Sequence, residues 1–123
     1  MSKEQWSKEN LAAGEEYAGI IIGKNGDQDY HLILLPGEVE RATWNKAMDW
    51  AKSGIGQLPT RREQSLLFAN LPEHFNSAWY WSCEQLASDA GFAWVQVFVN
   101  GNQGNYHKSF EGRARAVRRL PIQ

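Results

Sequence analysis

A chain of 123 residues with 42% hydrophobic and 22% charged side chains has the composition of one globular domain, large enough to bury a core without disulfides or metals. Its 13 basic and 14 acidic residues leave a formal net charge of -1, which gives no overall attraction to nucleic acid or to an anionic membrane. The one cysteine, Cys83, excludes an intramolecular disulfide, and the longest apolar runs, Ile20-Ile21-Ile22 and residues 32–35, are far too short to cross a bilayer.

Residues 1–12 are polar and read as an N-terminal arm, ahead of a single domain over residues 13–123. The arm lacks the apolar run of a signal peptide, so the expected location is the cytoplasm. Residues 17–24 are rich in β-branched side chains and read as a strand. Asn25-Gly26 follows, the favoured pair for a tight primed turn because both residues tolerate positive φ. Residues 30–35 read as the returning strand, ended by Pro36-Gly37. Thr43 is placed to cap a helix in which Trp44, Ala47, Met48 and Ala51 fall at i, i+3, i+4 and i+7; Trp50 lies beside that face, and Gly54 and Gly56 stop the helix. Thr60-Arg61-Arg62-Glu63 is a capping box: the threonine oxygen takes the N–H three residues on and the glutamate reaches back. It predicts a second helix with Leu66, Leu67 and Leu71 turned inward, Leu58 as a hydrophobic staple and Pro72 at the end. The remainder reads as β. Residues 79–83 form a short strand. Residues 92–99 form a longer one, with Phe92, Trp94, Gln96 and Phe98 on one face and Ala93, Val95, Val97 and Val99 on the other. Both faces are mostly apolar, which predicts a central strand covered on both sides. Asn100-Gly101 begins a polar turn, and strands over 106–110 and 113–120 complete an α+β set. The six tryptophans are expected mainly in the core.

Catalytic chemistry is hard to assemble from these residues. Cys83 sits in an aromatic strand beside acidic Glu84, with no local positive charge to stabilise a thiolate, and reads as a core residue. His31, His74 and His107 have no metal-ligand spacing, and Asp27, Asp29, Glu38 and Glu40 lack the calcium-loop pattern. Residues 101–105 imitate a phosphate loop without its Gly-Lys-Ser/Thr ending, and no Gly-x-Ser-x-Gly elbow occurs. The expectation is a protein that is not an enzyme, with no cofactor and no metal. Arg113, Arg115, Arg118 and Arg119 form the one basic cluster. Alternation sends Arg118 to the face opposite the other three, and ion pairs with Glu63, Glu84 or Glu111 are expected, Glu84 first for Arg118. The best candidate for a binding surface is the loop set at 85–91 and 100–108. There Asp89, Asn100, Asn102, Asn105, Tyr106 and His107 offer adaptable hydrogen bonding and rigid aromatic area.

The order Leu58-Pro59-Thr60-Arg61-Arg62-Glu63, Trp79-Tyr80-Trp81-Ser82-Cys83-Glu84, Ala93-Trp94-Val95-Gln96-Val97-Phe98 and Arg113-Ala114-Arg115-Ala116-Val117-Arg118-Arg119 resembles a family of domains of unknown function. These are similar to the C-terminal domain of the Lcl collagen-like adhesin and are common in bacteria and phages. The resemblance covers residues 17–120 and implies a C-type-lectin-like fold, two helices packed on small, mainly antiparallel sheets. The same skeleton looks like that of formylglycine-generating enzymes and phage tail variable proteins. The calcium triplets of sugar-binding C-type lectins are absent, since Trp44-Asn45 is followed by Lys46, and the cysteine pair of the formylglycine enzymes is reduced to Cys83. The resemblance therefore implies a calcium-independent, non-catalytic binding module for a protein or glycan, phage or prophage encoded and virion associated after assembly in the cytoplasm. Neither specific nucleic acid nor membrane is an expected partner. Two alternatives are a structural or assembly subunit forming a homo-oligomer and a phage tail variable-type receptor binder.

Overall fold

The computed structural model describes residues 2–123. The elements run α1 (Lys3–Asn10), β1 (Glu16–Ile21), β2 (Tyr30–Leu34), β3 (Val39–Ala42), α2 (Trp44–Ser53), α3 (Arg61–Asn70), a short 3₁₀ turn (Pro72–His74), β4 (Trp79–Leu86), β5 (Asp89–Val97), β6 (Gln103–His107), β7 (Gly112–Ala114) and β8 (Val117–Pro121). The architecture is α+β, as expected. The polar start of the chain is helical rather than a bare arm. Ser2 caps α1 by accepting from the Gln5 N–H at 3.1 Å, yet the helix buries no residue. It is held to the body by Trp6, whose ring centroid lies 4.5 Å from that of His31 and 5.0 Å from that of Tyr17, and at its end by Arg118, which donates to the Asn10 carbonyl. A helix with no apolar face gives no periodic signal, so the pattern of the sequence passed over it.

The hairpin forms around the predicted turn, with Asn25 and Gly26 at φ of 56° and 89°. β1 leaves the ladder at Ile21, and the loop beyond is tied by the Asp29 carboxylate accepting from the Gly23 N–H at 2.8 Å. β8 pairs with the other side of β2, giving an antiparallel sheet in the order β1-β2-β8. The second sheet runs β3-β7-β4-β5-β6 and is antiparallel except where Tyr80 meets Arg113.

Residues 113–120 were expected as one strand. They belong to two: β7 ends at Ala114, β8 begins at Val117, and Arg115-Ala116 make the step between sheets. Arg115 donates to the carbonyls of His74 and Leu35 at 2.7 and 2.8 Å, occupying backbone acceptors at this crossing. The break upsets simple alternation, and the basic cluster is distributed rather than continuous. Arg113 pairs with Glu38 and Arg119 with Glu63. Arg118 pairs with Glu15 at 2.8 Å and donates to the Asn10 carbonyl at 2.8 Å. The expected partner, Glu84, instead accepts from the Arg61 N–H at 2.7 Å, and Glu111 meets Arg41.

Both helices start where their caps predict. Thr43 accepts from the Lys46 N–H, and the Thr60 box is complete in both directions. α2 buries Ala47 and Ala51 against Leu58, Trp81, Ala93, Val95 and Ala114. A second cluster joins Leu67 and Leu71 to Leu32, Leu34, Tyr80, Phe98 and Val117. β5 thus lends Ala93 and Val95 to one cluster, while Phe98, just beyond its end, joins the other; Gln96 is buried as well. The Trp44 and Trp81 indoles donate to the Ser82 and Ala42 carbonyls at 2.8 and 2.9 Å, whereas the buried Gln64 Oε1 and Arg115 Nε have no hydrogen-bond partner among the described residues. On α3 the fully buried side chains include Glu63 and Gln64, which the leucine pattern did not mark.

Glu63 has no exposed surface. It accepts from the Thr60 N–H at 2.8 Å, from the Tyr30 hydroxyl at 2.5 Å, and from Arg119 through two bonds at 2.6 and 2.8 Å. Burial alone would raise its pKa, but the bonds from Arg119, Tyr30 and Thr60 outweigh that and hold it below the usual value. A depressed carboxylate adds stability above its unfolded pKa, near 4.5, and that stability disappears as pH falls through the folded value. Chemical denaturation should therefore show stability declining in acid below about pH 4.5, with a shallower decline in Glu63→Gln. At neutral pH Glu63→Gln should cost about 3–5 kcal/mol by leaving Arg119 uncompensated, against about 1 kcal/mol for Thr60→Ala, which removes one cap bond. Equal midpoints for the two variants would mean the pair is dispensable.

Candidate recognition surface

The six polar residues expected to line one surface are carried by β5, β6 and the turn that joins them. β4 and β5 are joined by a tight turn that pairs Leu86 with Asp89. β5 and β6 then pair from Phe92↔His107 to Gln96↔Gln103. Their connecting turn lies at the far end of β5, roughly 13 Å along the strand from His107. Asn100 and Asn102 sit at that far end, where the Asn100 side chain accepts from the Asn102 N–H at 3.0 Å. Asp89 and His107 lie at the near end, on either side of Gly91. Asn105 is exposed midway, opposite Trp94. Tyr106, adjacent to Asn105, points to the other face, with its ring centroid 4.5 Å from that of Trp79 and 5.6 Å from that of Phe110. Neighbours along a strand face opposite ways, so closeness in sequence did not make one patch of these six.

One face does gather Asp89, Asn105 and His107, and it adds residues that sequence reasoning assigned elsewhere. The cross-strand pairs Phe92↔His107 and Trp94↔Asn105 stand side by side, with the Phe92 and His107 rings edge-on at 5.3 Å. Arg61, from the first turn of α3, lays its guanidinium over Trp94, 3.5 Å from the ring centroid. Its Nε donates to the Gln103 amide oxygen at 2.9 Å, and the Gln103 amide nitrogen donates to the Arg61 carbonyl at 2.9 Å and to Gln96 at 3.0 Å. Among the described residues, the two terminal nitrogens of Arg61 have no hydrogen-bond partner. A guanidinium held flat on an indole with its outer donors free is a pre-oriented contact for an acceptor or an aromatic group. The signal for Trp94 was its parity with Gln96 on β5. For Arg61 there was none beyond its place in the capping box, because its partner lies 33 residues away in sequence.

Beside this stack a cleft of about 660 Å³ opens between the β1–β2 loop and the start of α3, with Lys24, Asp27, Arg62, Glu84 and Gln103 on its walls. The other reactive side chains are quiet. Burial pushes the Cys83 thiol up in pKa, so it stays protonated, and it packs against the α2-side core. His107 Nδ1 lies 2.7 Å from the Ser109 hydroxyl and accepts the Ser109 N–H at 3.2 Å, the geometry of a local turn. With Asp89 nearby these are the residue types of a hydrolytic triad, but all three are exposed and the serine and histidine are two residues apart. Among the described residues no group of three or more His, Cys, Asp or Glu side chains converges as a metal site, and no helix is long and apolar enough to cross a membrane.

In comparison with known proteins, the chain matches no family model and no curated relative.

The far turn is held by Gly101, at φ of 84°, where a Cβ would come within 2.6 Å of the Phe68 ring on α3. Gly101→Ala should lose about 1–3 kcal/mol, from the strained φ and the displaced ring together. A urea midpoint at or above wild type would show that the turn is free of α3.

Proposed function

We propose that this chain is a non-catalytic recognition module with a C-type-lectin-like fold, binding a protein or glycan through the Phe92–Trp94–Asn105–His107 face and the neighbouring Arg61. Three features support the fold reading. The first and last strands of the body flank β2 in one small sheet, two capped helices follow it, and the second sheet draws most of its strands from the later half of the chain. Phage or prophage origin and association with a virion rest on the resemblance of residues 17–120 to the Lcl C-terminal-domain-like family.

The observation that carries the functional reading is Arg61 on Trp94. Arginine and tryptophan dominate the energetics of recognition surfaces, and a side chain already held in place loses little freedom on binding. The surrounding groups are amides, an imidazole and a carboxylate on paired strands, suited to hydrogen-bonding a sugar or a peptide. Asp89, Asn105 and His107 lie on this face, Tyr106 supports it from behind, and Asn100 and Asn102 extend it at the far turn.

The test is an Arg61→Ala/His107→Ala variant, screened against a glycan array and against host-cell and particle extracts in parallel with wild type. Binding should weaken at least about tenfold while the melting temperature stays within a few degrees. Any sugar bound should be retained in EDTA. A variant that retrieves the same partner equally well would mean that this face is ordinary surface.

A further inference from the structure

The two sheets have four edges, and three are closed. The carbonyls of Ala18 on β1 and of Ile22 just beyond it accept from Asn70 and Arg62 of α3 at 2.7 and 2.9 Å. β8 is bridged by Gln57, whose backbone exchanges two bonds with Val117 at 2.8 and 3.0 Å, and its run carries Arg118, Arg119 and Pro121. β3 is short, irregular between Val39 and Ala42, and exposes the charges of Glu40 and Arg41. These are the ordinary devices against edge-to-edge pairing. β6 has none of them. Gln103-Gly104-Asn105-Tyr106-His107 holds no formal charge with histidine neutral, no proline and no break in register with β5. Val97 N–H bonds the Asn102 carbonyl and Lys108 N–H bonds the Gly91 carbonyl, so even-numbered positions face β5. The peptide groups of Gln103 and Asn105 therefore point away from the sheet.

We propose that β6 pairs with β6 of a second copy of this chain, antiparallel, about a two-fold axis through Asn105. Three observations favour a second copy over an extended segment of another protein. First, the strand is neutral, so its own image brings no like charges together. Second, in this register Gly104 stands opposite Tyr106 of the second copy, and a Cβ at Gly104 would meet nothing within 4 Å. Third, the ring that arrives there brings exposed apolar surface with it: Tyr106, half-buried against Trp79, carries Phe110 stacked on it at 27° between planes, and Phe110 is 51% exposed. The gap and the exposed ring lie on either side of one axis, so a single rotation covers both, as an isologous interface requires. Gln103 would then face His107 of the other copy, Asn105 would face Asn105, and the two Trp94 faces would become continuous. The contact is small, so the dimer is weak and reversible.

Sedimentation equilibrium up to millimolar chain concentration tests this. Wild type should pass from one to two chain masses. Asn105→Asp and Asn105→Lys, which place like charges against each other on the axis, should each weaken dimerisation at least about tenfold with unchanged circular dichroism. Mixing the two variants in equal amounts should restore it. The proposal is overturned if wild type stays monomeric at millimolar concentration, including the case where β6 takes an extended peptide instead. It is equally overturned if either single variant dimerises like wild type, or if the mixture fails to recover.

Discussion

The carboxylate of Glu63 is the point on which the chain is hung. It is fully buried, and its four accepted bonds come from three elements: one from the start of α3, one from the start of β2, and two from β8. An ionised carboxylate in such a place is tolerable only when its partners are fixed, because its hydration has been given up entirely. Its dependence on them is mutual. The Tyr30 hydroxyl, desolvated and bonded to the carboxylate, is pushed up to about 12 in pKa and stays a donor across the whole ordinary range of pH. Arg119 is held more firmly in its charged form by the same group. One side chain therefore fixes where α3 begins relative to the first sheet, and through α3 it sets where Arg61 can lie on the second.

Much of this was legible in sequence, for reasons that can be named. Caps and turns are local, and Asn25-Gly26, Thr43 and Thr60 each carry their chemistry within four residues, so the hairpin and the starts of α2 and α3 could be read directly. The core strand β5 declared itself through apolar residues on both faces. Glu63 was visible only in its local role at the helix start; its partners at positions 30 and 119 are brought to it by the tertiary fold. Arg118 shows the same limit from the other side: a carboxylate partner was foreseeable, but the choice of Glu15 over Glu84 depends on the break at Arg115-Ala116, where the strand changes sheets. Periodicity records which way a side chain points along a strand, not which strand lies beside it. α1 escaped notice because a helix that buries no residue, held by one indole and one bond to its last carbonyl, has no face to repeat.

The candidate surface was half legible. Polar loops and turns were found, but parity along β6 and the length of the β5–β6 ladder decide which of them share a face. The strongest contact there, arginine upon tryptophan, is formed by one residue that looked like a cap and another that looked like core. Both descriptions are correct as far as they go. Arg61 does belong to the box that opens α3, and Trp94 does belong to an inner strand; where the start of the helix overlies β5, the two roles produce a third.

The crossing at Arg115-Ala116 also constrains the order in which the molecule can be made. β2 lies in the middle of its sheet, yet one of its two neighbours, β8, is made only after every other strand of the two sheets. Until residue 119 has emerged, Glu63 has no guanidinium, β2 has an open flank, and the end of α1 lacks the bond to its carbonyl that Arg118 provides. The α2–β4–β5 core can condense earlier, since its contacts close within the sequence already exported. Synthesis from the N-terminus therefore leaves the first sheet waiting on the last strand, with an apolar flank exposed for the interval and only chaperones or speed to protect it.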